Sequence, residues 1–466
     1  MEQYRIEHDL LGEKKVPIDA YYGIQTQRAL ENFPITGYRP HKELILAMVM
    51  VKKAAALANM QLGKLDKKRA DAIIRAADEI LSGQFLDQFV VDVIQGGAGT
   101  SLNMNVNEVI ANRAIEILGG KKGDYTLISP NSHVNMSQST NDVFPTAVRI
   151  AILKLVKSLL AELEHLHEAL LKKSEEFDDV IKMGRTHLQD AVPIRLGQEF
   201  GAYARVINRD LHRIKTASEA LKEVNIGATA VGTGLNAQIE YIESTIENLR
   251  KISGFQVYSA EDLVDATQNV DTLAAFSGSL KILGLNLSKI ANDLRLMASG
   301  PRAGLHEINL PPVQPGSSIM PGKVNPVMAE VVNQVAFQVM GNDHTVALVA
   351  QAGQFELNVM EPVMVFNIIQ SIEILTNVIK VFREKCIMGI TANRERCQDM
   401  VNRSVGIITA LVPHIGYEGA SKLAKEVIIS GKSVPEIILE KSILTPEETK
   451  VILSPQNMTQ PIYSHR

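Results

Sequence analysis

The 466-residue chain has no tryptophan and only two cysteines, Cys386 and Cys397. Two cysteines without Cys-x-x-Cys spacing exclude a disulfide framework and a structural zinc site, and they favour a reducing cytoplasm. Aromatic residues make up only 5% of the chain, so its cores must consist mainly of Leu, Ile, Val, Ala and Met. That mixture favours packed helices.

An excess of charge of one sign is also absent. The chain has 48 Lys and Arg residues against 52 Asp and Glu residues, a net charge of −4. This balance leaves no basic surface for nucleic acid or an anionic membrane. The apolar run at 44–51 is much shorter than the roughly 20 residues that cross a bilayer, and the N-terminal segment is charged from Glu2 onward. We therefore expect a protein that is neither secreted nor inserted in a membrane, with small-molecule or protein partners.

Several long stretches place apolar residues at three- and four-residue steps, the period of a helix face. Between Ala147 and Phe177 neither glycine nor proline interrupts this pattern, which predicts a long helix. Similar patterns predict helices at 200–214, 263–297 and 356–388. Pro362 must start or kink the last of these helices.

These helices are apolar over more than one narrow stripe, and a single chain cannot cover all of that surface. We therefore expect a homo-oligomer packed through its central helices. A monomeric helical solenoid would need a repeat of roughly 30 to 45 residues, and the sequence has none. The pattern predicts three domains: a mostly helical N-terminal domain (1–140), a central long-helix bundle (141–390) and a small C-terminal helical domain (391–466).

Four segments interrupt the helical pattern with glycine and small polar residues, and catalytic groups commonly lie in such segments. They are residues 96–101, 129–142, 182–190 and 314–326. Glycines in the first can turn backbone N–H groups toward an anion. The second can place hydroxyl and amide donors at a helix N-terminus. Structural interpretations also exist: a plain turn, a solvated loop in which Asn141 or Asp142 caps the helix, or a core histidine at His187.

The fourth segment is the most informative. It begins with two adjacent serines, ends with a lysine and an asparagine, and is bracketed by prolines and glycines. This composition predicts a mobile lid over a substrate. Together the four segments supply cations, amides and hydroxyls but few acids, which indicates a site for a dianion. They contain no metal-ligand cluster and no phosphate- or dinucleotide-binding motif, so we expect no metal and no cofactor.

Residues 316–326, Gly-Ser-Ser-Ile-Met-Pro-Gly-Lys-Val-Asn-Pro, resemble the signature of the fumarase/aspartase superfamily of lyases. The resemblance covers essentially the whole chain and includes residues 99–100, 137–142, 184–190 and 227–234. It implies an all-α fold in a homotetramer whose central helices form a twenty-helix core. It also implies that each active site takes its segments from three subunits.

Four positions resemble the aspartase branch of the superfamily more than class II fumarases, which typically differ at Ser129, Ser132, Met136 and Thr140. The resemblance then implies a carbon–nitrogen lyase of aspartate metabolism. Its reaction would be the reversible deamination of L-aspartate to fumarate and ammonia, by anti elimination through an enediolate. A class II fumarase and a non-catalytic structural relative are the alternatives.

The same resemblance implies a role for each candidate site residue. The catalytic residues would be Ser317 as general base, His187 and Lys323. Substrate contacts are implied for Thr100, Ser139, Thr140 and Ser318 at the carboxylate that becomes the enediolate, for Thr186, Lys323 and Asn325 at the α-carboxylate, and for Asn141 and His187 at the amino group. Glu330 matches an acid that pairs with the histidine in relatives.

Overall fold

The computed structural model describes residues 3–461, most of which are helical, so the all-α prediction is confirmed. The α-helices are, in chain order, α1 Ile24–Asn32, α2 Lys42–Gln61, α3 Lys67–Leu81, α4 Thr100–Ile117, α5 Thr140–Glu176, α6 Leu196–Glu219, α7 Ile239–Ser253, α8 Asp265–Gln268, α9 Asp271–Met297, α10 Val327–Gln351, α11 Glu361–Lys385, α12 Arg394–Arg403, α13 Val412–Ser430, α14 Val434–Glu440, α15 Pro446–Ile452 and α16 Pro455–Met458.

The strands are short and pair two by two. They are β1 Tyr4–Asp9 with β2 Gly12–Pro17, β3 Ile181–Thr186 with β4 Gln189–Arg195, β5 Glu223–Val224 with β6 Tyr258–Ser259, and β7 Ile308–Asn309 with β8 Thr391–Ala392. Only the β5–β6 pair is parallel among these. The larger hairpin, β3–β4, carries the third of the four polar segments.

The predicted long helix is α5, which is 37 residues long and begins at Thr140, with Pro145 near its start. Pro362 lies in the first turn of α11, as predicted. The pattern beginning at Leu263 divides into α8 and α9, because Asn269 between them has extended backbone. The sequence pattern does not predict α10, which is rich in valine, a residue more typical of strands.

The described chain divides into two compact units. Unit 1 comprises the described residues up to Leu160 together with His212–Ile282 and Phe337–Leu375. Unit 2 comprises Ala161–Leu211, Leu283–Ala336 and the described residues from Thr376 onward. All five division points fall inside helices, namely α5, α6, α9, α10 and α11. The division into three domains stays a prediction.

In unit 1, α2 packs against α3, α4 and α7. Small side chains permit the close approach, since Ala55 and Ala58 of α2 form a buried cluster with Tyr241 of α7. The N-terminus of α1 is held by Glu108 of α4, a buried carboxylate. It accepts the N–H groups of Gly23 (2.9 Å), Gln25 (2.8 Å) and Thr26 (3.1 Å).

In unit 2, the C-terminal helices pack on the β3–β4 hairpin. One apolar cluster joins Ile181 and Met183 of β3 to Ile407, Leu411 and further buried side chains of the C-terminal segment. The backbone fits closely, because a Cβ on Gly406 would lie 2.1 Å from the carbonyl oxygen of Ala191. The hairpin is thus supported along its length by short helices.

Among the described residues, one helical segment is long and apolar enough, by length and composition, to cross a membrane. It is Glu361–Gly389, which comprises α11 and the short turn after it. Its most apolar 18-residue stretch has a mean hydropathy of 1.5, and 56% of that stretch is buried inside the protein. Met364, Ile368, Ile372 and Leu375 are all almost fully buried. A helix in the core of a protein can have the same length and composition as a membrane span, and the burial of these side chains fits a core helix.

Candidate active site

Two hydrogen bonds close the base of the serine loop, residues 314–326. The N–H of Gly316 donates to the carbonyl of Lys323 at 2.8 Å, and the side-chain amide of Asn325 donates to the carbonyl of Gly316 at 2.5 Å. A Cβ on Gly316 would lie 2.6 Å from the carbonyl oxygen of Lys323, so the approach requires glycine. The intervening residues are therefore tied at a narrow neck.

Within this loop the hydroxyl oxygen of Ser317 accepts two backbone hydrogen bonds, from Ile319 at 3.2 Å and from Met320 at 2.9 Å. Two N–H donors on one hydroxyl oxygen favour negative charge there. Ser317 is half-buried, whereas Ser318 and Lys323 are exposed. The Lys323 ammonium forms no ion pair anywhere in the described chain. The loop thus combines a hydroxyl suited to deprotonation with an unpaired cation.

The β3–β4 hairpin carries His187 at its turn. Thr186 pairs with Gln189, which leaves His187 and Leu188 as a two-residue connection. Their φ values are +56° and +59°, which such hairpins need and which bulky residues adopt only at a cost. His187 is exposed at the tip. The hairpin therefore presents its imidazole on strained backbone.

Buried ion pairs hold the hairpin below this turn. Glu307 is fully buried and binds both Arg185, at 2.8 Å, and Lys182, at 3.2 Å. Lys182 also binds Glu199 of α6 at 2.8 Å. Breaking such a network leaves a buried charge unpaired, at a cost of about 3–5 kcal/mol. The strand that leads to His187 is therefore firmly anchored.

Thr100 is the first residue of α4 and follows a tight glycine turn. Its hydroxyl donates to the carbonyl of Gly97 at 2.7 Å. Gly99, just before it, has a φ of +91°, and a Cβ there would lie 2.6 Å from the ring of Phe144. Only glycine therefore fits at this position, and the exposed Thr100 is placed by the packing behind it.

Ser139 caps α5, so the interpretation in which Asn141 or Asp142 serves as the N-cap is wrong. The Ser139 hydroxyl accepts the N–H of Asn141 at 3.3 Å, and the Ser139 N–H donates to the Asp142 carboxylate at 3.0 Å. The arrangement is similar to a capping box, but the Ser139 hydroxyl accepts the N–H of Asn141 instead of that of Asp142. It begins the helix at Thr140 and fixes the three candidate residues of this segment.

Two amide side chains orient the candidate residues at the start of α5. Asn103, in the first turn of α4, donates to the hydroxyl of Thr140 at 3.1 Å and so brings the starts of α4 and α5 together. Asn141 donates to the carbonyl of Ala230 at 2.8 Å. A carbonyl can only accept, so the nitrogen of the Asn141 amide faces Ala230. Its oxygen has no hydrogen bond with any described residue.

The burial of two ionisable groups, Lys52 of α2 and Asp142 of this segment, was not predicted from the sequence. Burial lowers the pKa of Lys52 to about 7, and burial raises the pKa of Asp142 to about 7, while each charge favours ionisation of the other. The Lys52 ammonium donates to Asn135 at 2.8 Å and to Gln138 at 3.0 Å. A lysine inside an otherwise apolar helix stretch was the available signal.

The candidate residues fall into two groups, one in each unit. Unit 1 holds Thr100, Ser139, Thr140 and Asn141, and unit 2 holds Thr186, His187, Ser317, Ser318, Lys323, Asn325 and Glu330. Glu330 lies in the first turn of α10. Within the described chain no hydrogen bond or ion pair joins Glu330 to His187.

Comparison with known proteins decides the family. A family model described as a lyase matches residues 12–341, and one described as the fumarase C C-terminus matches residues 407–460. This chain belongs to the fumarase/aspartase superfamily of lyases. The resemblance of the serine loop to the superfamily signature is thereby confirmed, and the chain is an enzyme of the lyase class.

Among relatives of this lyase, an aspartate ammonia-lyase of Bacillus subtilis (strain 168) is 61% identical, covering 99% of this chain and 97% of that protein. The aspartate ammonia-lyase of Escherichia coli (strain K12) is 51% identical, covering 98% and 97%. A class II fumarase structure from Schistosoma mansoni is 37% identical, with a TM-score of 0.94 over 98% of this chain and 99% of that chain. The aspartase branch is therefore nearer in sequence, although the fold is shared.

The crystal structure of a fumarate lyase:delta crystallin from Brucella melitensis bound to cobalt matches the lyase with a TM-score of 0.96 and 50% identity. It covers 98% of this chain and 100% of that chain. The class II fumarase and this fumarate lyase thus both share the backbone fold of the chain.

Gly99→Ala tests the packing behind Thr100, with Gly97→Ala as its control. Both glycines have positive φ, +91° and +89°, but a Cβ on Gly97 would lie no closer than 3.7 Å to a neighbour. Both variants strain the backbone, and only Gly99→Ala adds overpacking, worth about 1–3 kcal/mol. We expect Gly99→Ala to lower the thermal midpoint and kcat/KM further than Gly97→Ala. Equal losses of stability and activity in the two variants would show that the Phe144 ring moves aside at little cost.

Proposed function

We propose that the lyase deaminates L-aspartate reversibly to fumarate and ammonia, with Ser317 as the general base. The observation that carries the base assignment is the pair of backbone N–H groups on the Ser317 oxygen. A serine hydroxyl is a poor base, and it becomes a useful one only as an alkoxide that nearby donors and cations stabilise. The loop supplies both, in its N–H groups and in Lys323.

In the proposed reaction the Ser317 alkoxide removes a proton from C3 of aspartate. The electron pair of that C–H bond passes into the β-carboxylate, which becomes an enediolate dianion. Stabilising the added charge is the main catalytic task. Hydroxyl donors suit it, and Thr100, Ser139, Thr140 and Ser318 are the residues that we assign to it.

Collapse of the enediolate forms the C2–C3 double bond and breaks the C–N bond, so nitrogen leaves as ammonia. Asn141 is suited to the amino group, because its nitrogen is committed to Ala230 and its oxygen remains to accept an N–H. His187 is the second group that we assign there. Lys323, Asn325 and Thr186 would bind the α-carboxylate, Lys323 as a point charge.

We propose that four chains assemble and that each active site combines segments of three of them. Apolar side chains on the long helices support assembly, since Leu285 and Leu296 of α9 and Phe337 and Leu348 of α10 are 45–62% exposed in one chain. The division of candidate residues between the two units is compatible with shared sites.

We propose the cytoplasm as the location, because both cysteines are free and a reducing compartment keeps thiols in that state. Both are also buried. Burial raises the pKa of Cys386 and Cys397 to about 12, which keeps the thiols protonated and unreactive.

Ser317→Ala should lower kcat about 10²–10⁴-fold while the protein still binds a dicarboxylate inhibitor such as succinate, because the base acts only during proton removal. Lys323→Ala should also weaken inhibitor binding, because it removes a charge that pairs with carboxylate in both ground and transition states. Steady-state kinetics and inhibitor titration give the comparison. Near-normal turnover by Ser317→Ala would mean that another residue is the base.

Substrate choice separates this proposal from a fumarase. Ammonium and hydroxyl leaving groups differ in charge and in donor count, so a site arranged for one leaves polar groups mispaired with the other. We expect L-aspartate to be favoured over L-malate by about 10³-fold or more in kcat/KM. Absorbance of fumarate follows both reactions, and added ammonia should convert fumarate to aspartate. Malate turnover as fast as aspartate turnover would assign the lyase to the fumarases, and inactivity on both would point to a larger amino acid or a succinyl adduct as the substrate.

Sedimentation of the unsubstituted protein should give four chains per particle.

Mixing Ser317→Ala with His187→Ala chains after dissociation should restore activity at about a quarter of the sites, since random assembly unites both intact residues with that frequency. Each variant reassembled alone serves as the control. Hybrid tetramers without any recovered activity would contradict shared sites, and a fully active monomer would contradict the assembly itself.

A further inference from the structure

We propose that Asp142 is a positioning residue whose buried carboxylate fixes Asn141 against the backbone of residues 225–230. The inference rests on the proposed function, in which Asn141 contacts the amino group of the substrate. It also gives a role to the glycine-rich segment 227–234, to which the reaction scheme assigns none.

The Asp142 carboxylate binds two parts of the chain at once. One oxygen accepts the N–H of Ser139 at 3.0 Å, and the other accepts the N–H groups of Gly227 at 3.1 Å and Thr229 at 3.0 Å. Asp142 is fully buried, so water does not compete for these bonds. Hydrogen bonds from N–H groups to an ionised acceptor are roughly twice as strong as neutral ones. This side chain therefore fastens the start of α5 to a segment more than 80 residues away.

Asn141 is held by the same distant segment on both its main chain and its side chain. Asn225 donates to the Asn141 carbonyl at 3.0 Å, and Asn141 donates to the Ala230 carbonyl at 2.8 Å. Asn225 is itself buried and bound to Thr146 and Thr267. Asn141 is thus held by Asn225 at its main chain and by Ala230 at its side chain. The distance between those two holding residues depends on the backbone between them, which Asp142 binds.

That backbone has a conformation that needs external support. Gly227 has a φ of +90°, and a Cβ there would lie 2.4 Å from Ile242. Thr229 is β-branched and has a φ of +56°, a combination that costs on the order of 1–3 kcal/mol. Both Gly227 and the strained Thr229 donate their N–H groups to Asp142. The carboxylate therefore holds the turn that presents Ala230 to Asn141.

A buried cation supports the ionised state of the carboxylate. Burial raises the pKa of Asp142 to about 7, and the charge of the fully buried Lys52 opposes that rise. The three N–H donors act in the same direction, because a protonated carboxyl group would leave donors without an acceptor. An amide at this position would place an NH2 group against at least one of the three N–H donors. A carboxylate is therefore the matching group.

The test compares Asp142→Asn with Glu108→Gln in the assembled enzyme. Both changes replace a fully buried carboxylate that accepts three backbone N–H groups in unit 1, but Glu108 caps α1 and contacts no candidate site residue. Both variants should lose thermal stability. A displacement of about 1 Å at a reacting group can cost about 100-fold in rate, so kcat/KM for L-aspartate should fall about 100-fold in Asp142→Asn and less than about threefold in Glu108→Gln.

A double-mutant cycle shows whether Asp142 acts through Asn141. On an Asn141→Ala background, Asp142→Asn should lower kcat/KM by less than about fivefold further, because the group that it positions is gone. Full additivity of the two losses would overturn the proposal, as would equal kinetic effects of Asp142→Asn and Glu108→Gln.

Asn225→Ala is the second variant, for the case in which Asp142→Asn does not assemble. It removes the donor to the Asn141 carbonyl and should lower kcat/KM about tenfold, again with little further loss on the Asn141→Ala background. Additive losses would count against positioning here too. The unsubstituted enzyme is assayed first. If it does not deaminate aspartate, the proposed function fails; if it does, the variants test the positioning role alone.

Discussion

Burial of apolar surface along very long helices is the constraint on which the rest of the structure depends. α5 is 37 residues long, α9 is 27, and α10 and α11 are 25 each. Rigid helices of this length fix the places where they begin, and candidate site residues lie there: Ser139 precedes α5 and the serine loop runs into α10, while Thr100 starts the shorter α4. The site is therefore positioned by elements that contribute few of its side chains.

Local sequence predicts those elements where one physical effect dominates. The uninterrupted apolar stripe after Ala147 predicts α5, and Pro362 predicts the start of α11. Local sequence does not predict the β3–β4 hairpin. Lys182 and Arg185 of the hairpin pair with Glu307, which lies more than 120 residues further along the chain, so part of its support comes from distant residues. The valine-rich α10 is likewise formed by tertiary burial against the strand propensity of its residues.

The candidate site shows the same limit. Small polar residues, glycine and isolated bases between apolar stretches predict the segments that contain Thr100, Asn141, His187 and Ser317. The groups that hold those residues in place cannot be found in this way. A buried carboxylate such as Asp142 is recognised only once its N–H donors, which lie far along the chain, are known. Sequence patterns thus indicate candidate ligand-binding segments more readily than the buried groups that hold them in place.

The tied neck of the serine loop would confine a closing motion to the residues between Gly316 and Lys323. Gly316 and Lys323 are joined across the base, while Ile319 and Met320 at the tip are 83% and 50% exposed. A ligand that closes the loop must order a handful of residues, at about 1–2 kcal/mol each, and recovers part of that cost by covering the two apolar side chains. For a loop that closes in this way we expect weak ground-state affinity and rapid product release, because much of the contact energy would be consumed in ordering the chain.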